Sequence, residues 1–410
     1  MNTRAIPRSG IAIRAAVALL CLCTLSHAGA ADLIANKAAV HSFDSHETML
    51  IEALDDIRSD RIDAALGVLH NLVTVNPKFR LAQLMYADLL MSRVRPINDF
   101  GNNYSVRYDQ IRSFRDEARA RWHHFAAPPP QNRIPDALIK LNDKQSHAIV
   151  VDLATSRLYL FENRDGIPRL VNDFYATIGK NGTGKVTEGD GKTPVGVYFV
   201  TGFIDSGKLP DFYGDGAFPI DYPNEWDQRN GRTGYGIWLH GTPSYTYSRP
   251  PLDSDGCVIL TNQDFNLVSK YIAPGETPVV LSNGLTWISV EDWRRRQTRY
   301  DALIEQWRKD WESRNADRYL SHYSTSYTGL GKDYKGWVDY KRRVNPSKRY
   351  IQIGISEKSI LLYPGKVPML VVTFEQDYDS DDYRRKYMKR QYWRKESDGQ
   401  WRIVYEGSVS

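Results

Sequence analysis

Hydrophobic residues recur three and four positions apart over residues 46–93, a pattern that predicts three amphipathic helices. Asn76-Pro77 separates the second run from the third. The apolar positions of the three runs are Leu50, Ile51, Leu54, Ile57, Ile62, Ala65, Leu66, Leu69, Leu72, Val73, Leu81, Leu84, Met85, Ala87, Leu89 and Leu90. Each helix therefore has one face to bury, and we expect residues 31–125 to form a helical region.

The order of small and large residues in these runs resembles a single tetratricopeptide unit followed by one more helix. It reads Ala-Leu…Ala-Ala-Leu-x-x-Leu…Asn-Pro-x-x-x-x-Ala. One unit cannot form a solenoid, because each repeat buries its apolar face against a neighbour. The region is therefore expected to pack on the next domain or on a partner, as an interaction surface or as a structural cap. The partner could be a second copy, giving a homodimer, or another envelope protein.

The pattern changes from helical to strand-like after the proline-rich stretch Pro128-Pro129-Pro130. This stretch and Pro135 predict a linker over 126–144. Short apolar or alternating runs then follow, separated by glycine-rich turns, as is typical of strands. They cover residues 147–153, 157–162, 172–178, 196–203, 236–240 and 277–281. We expect residues 145–283 to form a compact, mostly β domain.

The C-terminal part, 284–410, shows a third pattern. A charged helix rich in tryptophan and arginine is predicted over 290–312, and a short one over 316–323. Strands are predicted after them, over 350–358, 359–362, 369–378, 386–395 and 401–406. Helices followed by an antiparallel sheet predict an α+β domain, so the whole chain is expected to be multidomain.

The first thirty residues have the features of a secretory signal peptide. Arg4, Arg8 and Arg14 make a basic region, and an apolar run over 15–25 is too short for a typical membrane span. Ala28-Gly29-Ala30 matches the small-x-small cleavage pattern. We expect cleavage near Ala30 and export to the periplasm, with an uncleaved membrane anchor as the alternative.

The net charge and the cysteine content limit which partners and which reactions the chain is expected to have. The net charge is +5, and removal of the three arginines of the leader lowers it to +2, too little to indicate a nucleic-acid partner. Cleavage also removes Cys21 and Cys23, so Cys257 is the cysteine of the mature chain. Because thiols usually pair in oxidising compartments, a lone thiol there is either buried and inert or kept for its reactivity.

Two motifs that could indicate a nucleotide site or a metal site are both incomplete. Gly179-x-x-x-x-Gly184-Lys185 approaches a phosphate-binding loop, but Val186 stands where serine or threonine is needed and no helix is predicted next. His123-His124 lacks metal-ligand spacing to other histidines or cysteines. No nucleotide, metal or other cofactor is therefore expected.

The candidate chemistry lies in residues 235–264. A strand over 236–240 would point Trp238 and His240 to the same face, and Cys257 follows that histidine by seventeen residues. A cysteine nucleophile needs a base and needs donors for the oxyanion that its attack creates. His240 can be the base, and Gly256 lets the backbone amides of Gly256 and Cys257 turn toward the carbonyl oxygen.

The ionisation of the cysteine is predicted from its neighbours. A nearby imidazolium and a helix N-terminus would both favour the thiolate. The residues by themselves also allow a non-catalytic alternative, in which Cys257 is a buried structural cysteine and His240 an ordinary strand-end histidine.

Two motifs resemble the YkuD-type L,D-transpeptidase family. They are His-Gly-Thr followed by Ser-x-Gly-Cys-Val-x-Leu-Thr-Asn-x-Asp, and an upstream Gly-rich turn with Thr-Pro-x-Gly at 193–196. The resemblance covers about residues 145–283. It implies a Cys257 nucleophile, a His240 base and a backbone carbonyl, that of Gly241, orienting the imidazole.

Two positions depart from the family pattern. Asp255 replaces the usual histidine, and Ile259 replaces the usual arginine. Loss of that arginine removes a bidentate donor that could hold a carboxylate or fix the loop, so the resemblance does not determine substrate placement. The candidates for contacting the substrate are Trp238, Tyr245, Tyr247, Ser254 and Asn262.

The C-terminal part resembles a nuclear transport factor two-like cone. Helices, a YkuD-type core and such a cone together resemble the cell-shape L,D-carboxypeptidases of helical bacteria. That resemblance implies an enzyme that forms a thioester with peptidoglycan tetrapeptide stems and releases terminal D-Ala. An amine would resolve the thioester in a transpeptidase and water in a carboxypeptidase. The alternative is a non-catalytic peptidoglycan-binding or scaffolding protein.

Overall fold

The computed structural model describes residues 45–97, 100–101 and 108–409. The predicted signal peptide and its cleavage site near Ala30 lie outside these ranges. Within them, no helix combines the length and the apolarity needed to cross a membrane. The predicted fold class is confirmed: helices come first, a mostly β region follows, and an α+β domain ends the chain.

Within residues 45–126, the described part of the N-terminal region forms a layer of four helices. They are α1 (Ser45–Arg58), α2 (Ile62–Val75), α3 (Arg80–Ser92) and α4 (Tyr108–Ala126). The first three match the helical periodicity, and their apolar faces meet in one core with Leu50, Leu69 and Leu72 fully buried. Burial of the apolar faces in a shared core explains why these helices, whose outer faces are polar, pack together as a layer.

The central domain is built from two main sheets. The larger has the order β5-β4-β3-β13-β7, with β3 and β13 parallel, and the smaller has the order β12-β10-β9-β8, with β10 and β12 parallel. Side chains from both sheets form one apolar core. The elements are β3 (His147–Asp152), β4 (Arg157–Arg164), β5 (Ile167–Tyr175), β6 (Ile178–Gly179), β7 (Gly196–Phe199), β8 (Ile204–Asp205), β9 (Gly216–Pro219), α5 (Glu225–Arg229), β10 (Trp238–His240), β11 (Leu252–Ser254), β12 (Val258–Ile259), α6 (Asn262–Ser269) and β13 (Pro278–Ser282). A separate pair joins β6 to β11.

The C-terminal domain curls a long sheet against the predicted Trp-rich helix. Its core is strongly aromatic, with Trp307, Tyr319 and Trp393 fully buried. The elements are β14 (Trp287–Ser289), α7 (Val290–Glu312), α8 (Ala316–Leu320), β15 (Tyr323–Gly329), β16 (Lys332–Asp333), α9 (Tyr334–Ser347), β17 (Ile351–Tyr363), β18 (Met369–Ser380), β19 (Arg384–Lys395) and β20 (Trp401–Ser408). The two strands predicted over 350–362 are one strand, because a bulge between Ser356 and Ser359 breaks the alternation without ending the pairing.

The segment 126–144, predicted to be a linker, carries two short strands. In the structure β1 (Arg133–Pro135) pairs with β14, and β2 (Leu138–Lys140) is the edge strand of the C-terminal sheet beside β17. The indole of Trp293 also donates to the carbonyl of Leu138 at 2.7 Å. The prolines end α4, but the apolar residues after them are buried and join the C-terminal domain.

Buried charges join the helical layer to the central domain. Arg121 of α4 and Arg157 of β4 each donate to the same oxygen of Glu47 in α1, at 2.8 Å. Arg121 also pairs with Glu117 at 3.0 Å, and Arg157 with Asp173 at 2.6 Å. All five side chains are almost fully buried. The helices are therefore held by ion pairs in addition to apolar contacts.

Candidate active site

Two neighbouring parallel strands bring Cys257 and His240 into one site. Leu239 and His240 of β10 lie beside Val258 and Ile259 of β12, and Cys257 immediately precedes β12. The half-buried thiol donates to the carbonyl oxygen of Gly236, with Sγ 3.4 Å away. The β pairing therefore aligns two residues that are seventeen positions apart in the chain.

The imidazole of His240 is buried and oriented by the backbone. Its Nδ1 lies 2.7 Å from the carbonyl oxygen of Gly241, the contact implied by the family resemblance. Because a carbonyl can only accept a hydrogen bond, Nδ1 carries the proton and Nε2 is left as an acceptor. Burial lowers the pKa of His240 to about 4, against the opposing effect of the Gly241 carbonyl. The histidine is thus a neutral base at neutral pH.

The thiol of Cys257 is also neutral at rest. Burial raises its pKa to about 11, and the Asp255 carboxylate adds to the rise. The backbone of Trp238 and the charges of Arg249 and Lys185 act in the opposite direction. Desolvation thus disfavours the charged form of both groups and opposes the thiolate that the neighbouring residues were expected to favour.

The loop before the cysteine is held by Ser254. Its hydroxyl donates to the carbonyl of Cys257 at 2.7 Å and accepts from the amide of Gly256 at 3.0 Å. This occupies the Gly256 amide, whose role as an oxyanion donor stays a prediction. The amide of Cys257 has no hydrogen-bond partner among the described residues and is the better candidate. Ser254 therefore shapes the loop, and its hydroxyl hydrogen is already donated within it.

Thr193, of the upstream Thr-Pro-x-Gly motif, supports the same loop through hydrogen bonds. Its fully buried hydroxyl donates to the carbonyl of Gly256 at 3.0 Å and accepts from the amide of Gly179 at 2.9 Å. Gly256 has a φ of +129°, and a Cβ there would lie 2.6 Å from the carbonyl of Lys192. Glycine is therefore required beside the cysteine, and the two family motifs meet at this point.

We expect Thr193→Val to lower the free energy of unfolding of the central domain by about 1–3 kcal/mol, because it leaves two buried backbone groups without partners. Urea denaturation followed by tryptophan fluorescence measures the change. Thr201→Val is the matched control, since the Thr201 hydroxyl bonds to the Pro219 carbonyl on an exposed surface. Equal losses in the two variants would contradict the buttressing role.

Asn262 holds the loop that follows the histidine. Its Oδ1 accepts from the amides of Asp215 and Thr242, and its Nδ2 donates to the carbonyl of Thr242 at 2.8 Å. A Cβ on Gly241 would lie 2.0 Å from the same Oδ1. The amide of Asn262 therefore positions the chain beside His240, and its contact with the substrate stays a prediction.

The predicted aromatic cleft residues are distributed differently. Tyr247 is buried against Phe79 of the helical layer, with ring centroids 4.5 Å apart, so its predicted contact with substrate is wrong. Tyr245 is exposed and lies under the guanidinium of Arg80. Both tyrosines belong to the loop after His240, which packs on the helices. Trp238 does lie at the site, next to Tyr213 at 4.9 Å.

Tyr213 and Phe212 are site residues that the sequence reasoning missed. The ring of Tyr213 lies 5.1 Å from the imidazole of His240, and that of Phe212 lies 6.2 Å from it. Burial raises the pKa of Tyr213, and the nearby Cys257 adds to the rise. These residues lie in a short 3₁₀ turn before β9, where Phe212 is exposed and Tyr213 half-buried. The signal that could have found them is a pair of adjacent aromatic residues in a loop between two strands.

Known protein families account for both folded domains. Residues 146–281 match the model of the L,D-transpeptidase catalytic domain, YkuD, and residues 300–407 match that of the Cds6 C-terminal NTF2-like domain. The chain carries a YkuD-type L,D-transpeptidase domain and an NTF2-like domain. Members of the first family act on peptidoglycan stem peptides. The resemblance deduced from the motifs is therefore confirmed.

Solved structures share this arrangement. Bd1075 from Bdellovibrio bacteriovorus is 28% identical, with a TM-score of 0.60 over 68% of this chain and 98% of that one. The helical cell shape determining protein Pgp2 from Campylobacter jejuni is 24% identical, with a TM-score of 0.57 over 66% of this chain and 95% of that one, a likeness of fold. No curated protein sequence matches the chain.

Two lysines near Cys257 and His240 are paired with carboxylates. Lys180 pairs with Asp255 at 2.6 Å, and Lys185 with Asp190 at 2.9 Å. Asp255, one of the two departures from the family pattern, thus makes an exposed ion pair. In the part of the chain that the structure describes, no cluster of three histidine, cysteine or carboxylate side chains could hold a metal ion.

Proposed function

We propose that the protein is a periplasmic cysteine enzyme that cleaves the terminal D-amino acid from peptidoglycan tetrapeptide stems. The bond from His240 Nδ1 to the Gly241 carbonyl is the observation that carries the proposal. It makes Nε2 the unprotonated nitrogen of an imidazole on the strand next to Cys257, and so the atom that can take the thiol proton. The signal-peptide pattern of the first thirty residues supports the location.

In the first step, Cys257 attacks the carbonyl carbon of the residue before the terminal D-Ala. His240 Nε2 accepts the thiol proton as the sulfur–carbon bond forms, since neither group is charged at rest. The backbone amide of Cys257 donates to the oxyanion of the tetrahedral intermediate. Removing one such donor typically costs about 10²–10³ in rate.

In the second step, the carbon–nitrogen bond breaks and leaves a thioester on Cys257. The imidazolium of His240 returns its proton to the departing amine, so D-Ala leaves neutral at nitrogen. Water then attacks the thioester to give a shortened stem, or an amine attacks it to give a new amide. The resemblance of the three-part architecture to the cell-shape L,D-carboxypeptidases supports hydrolysis, and the family description of residues 146–281 supports transfer.

The test is a digestion of disaccharide-tetrapeptide muropeptides by the mature protein, with products weighed by mass spectrometry. Loss of one D-Ala identifies an L,D-carboxypeptidase. A dimer mass, or exchange of an added D-amino acid, identifies a transpeptidase. Unchanged muropeptide would contradict the proposal and favour the non-catalytic binding role, for which the high pKa of Cys257 is the supporting observation.

The pH dependence tests the ionisation of the catalytic pair. Because the pKa of His240 is about 4, the base stays neutral from about pH 5 upward, and kcat/KM is expected to be flat to about pH 8. Below about pH 4 the protonated imidazole cannot accept the thiol proton, so the rate should fall about tenfold per pH unit. An acid limb centred near 6.5 would contradict this. Circular dichroism at each pH controls for unfolding.

A further inference from the structure

Arg249 places a cation with an unused donor beside the reacting groups. Its charge acts on the pKa of both His240 and Cys257, and its guanidinium lies over the ring of Phe212 at 5.1 Å. That ring in turn lies next to His240. The guanidinium is therefore within electrostatic reach of the nucleophile and of the base.

The guanidinium is only partly used by the protein. Nε donates to the carboxylate of Asp253 at 2.9 Å, and Nη2 donates to the Asp253 backbone carbonyl. Nη1 is buried and has no hydrogen-bond partner within the described residues. A buried donor of a charged group costs free energy when it is left unpaired, so this nitrogen fits an acceptor that arrives with a ligand.

The backbone of Arg249 is held firmly in this position. Its carbonyl accepts from the hydroxyls of Tyr175 at 3.0 Å and Thr177 at 2.9 Å. The backbone of Thr177 pairs with that of Ile259 on the other side. Position 259 itself is apolar and buried, so the cation beside β12 comes from the neighbouring loop instead of from the strand.

The chemistry of the substrate supplies the acceptor. Cleavage of a terminal residue brings a free carboxylate two bonds beyond the scissile nitrogen, close to the nucleophile. Arginine is the side chain best suited to bind a carboxylate, through parallel charge-assisted hydrogen bonds. We propose that Arg249 binds the terminal carboxylate of the stem peptide and so selects substrates that end at the residue to be released. This inference rests on the proposed function.

The experiment compares two synthetic stem tetrapeptides, one ending in free D-Ala and one in D-alaninamide. For the full mature chain we expect kcat/KM to favour the free acid by about 10- to 100-fold, the range for a hydrogen bond to a charged group. Arg249→Met should bring this ratio close to one. Arg249→Lys keeps the charge but loses the planar fork, so its ratio should be intermediate and it guards against misfolding of the first variant.

Lys180→Met is the matched control, because it removes another cation near the site that is already paired with Asp255. Its acid-to-amide ratio should equal that of the wild type. A wild-type ratio near one, or an unchanged ratio in Arg249→Met, would overturn the proposal.

A binding measurement separates this inference from the catalytic one. Calorimetry with Cys257→Ala should give at least about tenfold tighter binding of the acid than of the amide, and adding Arg249→Met should abolish the difference. If wild type cleaves neither peptide but this preference is present, the proposed activity fails and the role of Arg249 stands. Equal affinities would overturn the role of Arg249 whatever the activity.

Discussion

Cys257→Ala is expected to abolish the release of D-Ala, with kcat at least about 10⁴-fold below that of the wild type. Removing the nucleophile of an acyl-transfer enzyme costs about 10⁶ in kcat, and the remaining groups supply only a residual acceleration. Alanine fills the space of the methylene and lacks the sulfur that forms the thioester. Mass spectrometry of muropeptide digests measures the loss.

The same experiment needs a control for folding and one for mechanism. Thermal unfolding of Cys257→Ala should match the wild type, because the thiol makes one long hydrogen bond to Gly236. His240→Ala should slow cleavage by about 10³-fold or more through loss of the base, and should slow labelling of Cys257 by iodoacetamide. Slow labelling that is unchanged by His240→Ala would contradict the catalytic pairing.

Arg121→Met is expected to lower the free energy of unfolding by about 3–5 kcal/mol, because it leaves the buried Glu117 without its arginine and Glu47 with Arg157 alone. Arg121 is fully buried and pairs with both Glu47 and Glu117. The helical layer should separate from the central domain first, since these pairs cross between α1, α4 and β4. Urea denaturation, with limited proteolysis of residues 45–126, measures both effects.

Arg119→Met is the matched control for this prediction. Arg119 lies two positions earlier on α4 and makes an exposed pair with Asp116 at 3.1 Å, so its loss should cost less than about 1 kcal/mol. Comparable losses in the two variants would contradict a special role for the buried pairs.

The buried pairs also give stability a pH dependence of known sign. The burial of Glu47 is outweighed by Arg157 and Arg121, which hold its pKa at about 2. Its contribution is therefore present above its ordinary value of 4.5 and is lost as pH falls toward 2. Glu117 acts in the opposite direction, because burial raises its pKa more than Arg121 lowers it.

The sequence by itself determined the order of the three parts and indicated the candidate nucleophile. Helical periodicity up to residue 93 and alternation after residue 147 are local patterns. They predict helices and strands correctly wherever the tertiary structure buries one face of the element. The motif around Cys257 and His240 could also be recognised in the sequence. A φ of +129° before the cysteine favours glycine, so this backbone requirement appears as a residue type.

Only the tertiary structure decided how the site is supported and charged. Tyr247 contacts Phe79, and Thr193 bonds to Gly256, through pairings of residues more than sixty positions apart that no periodicity encodes. The neutral state of the thiol depends on the desolvation of the finished fold, which outweighs nearby charges. The unpaired nitrogen of Arg249 likewise exists only once its loop is held between the central domain and the helices.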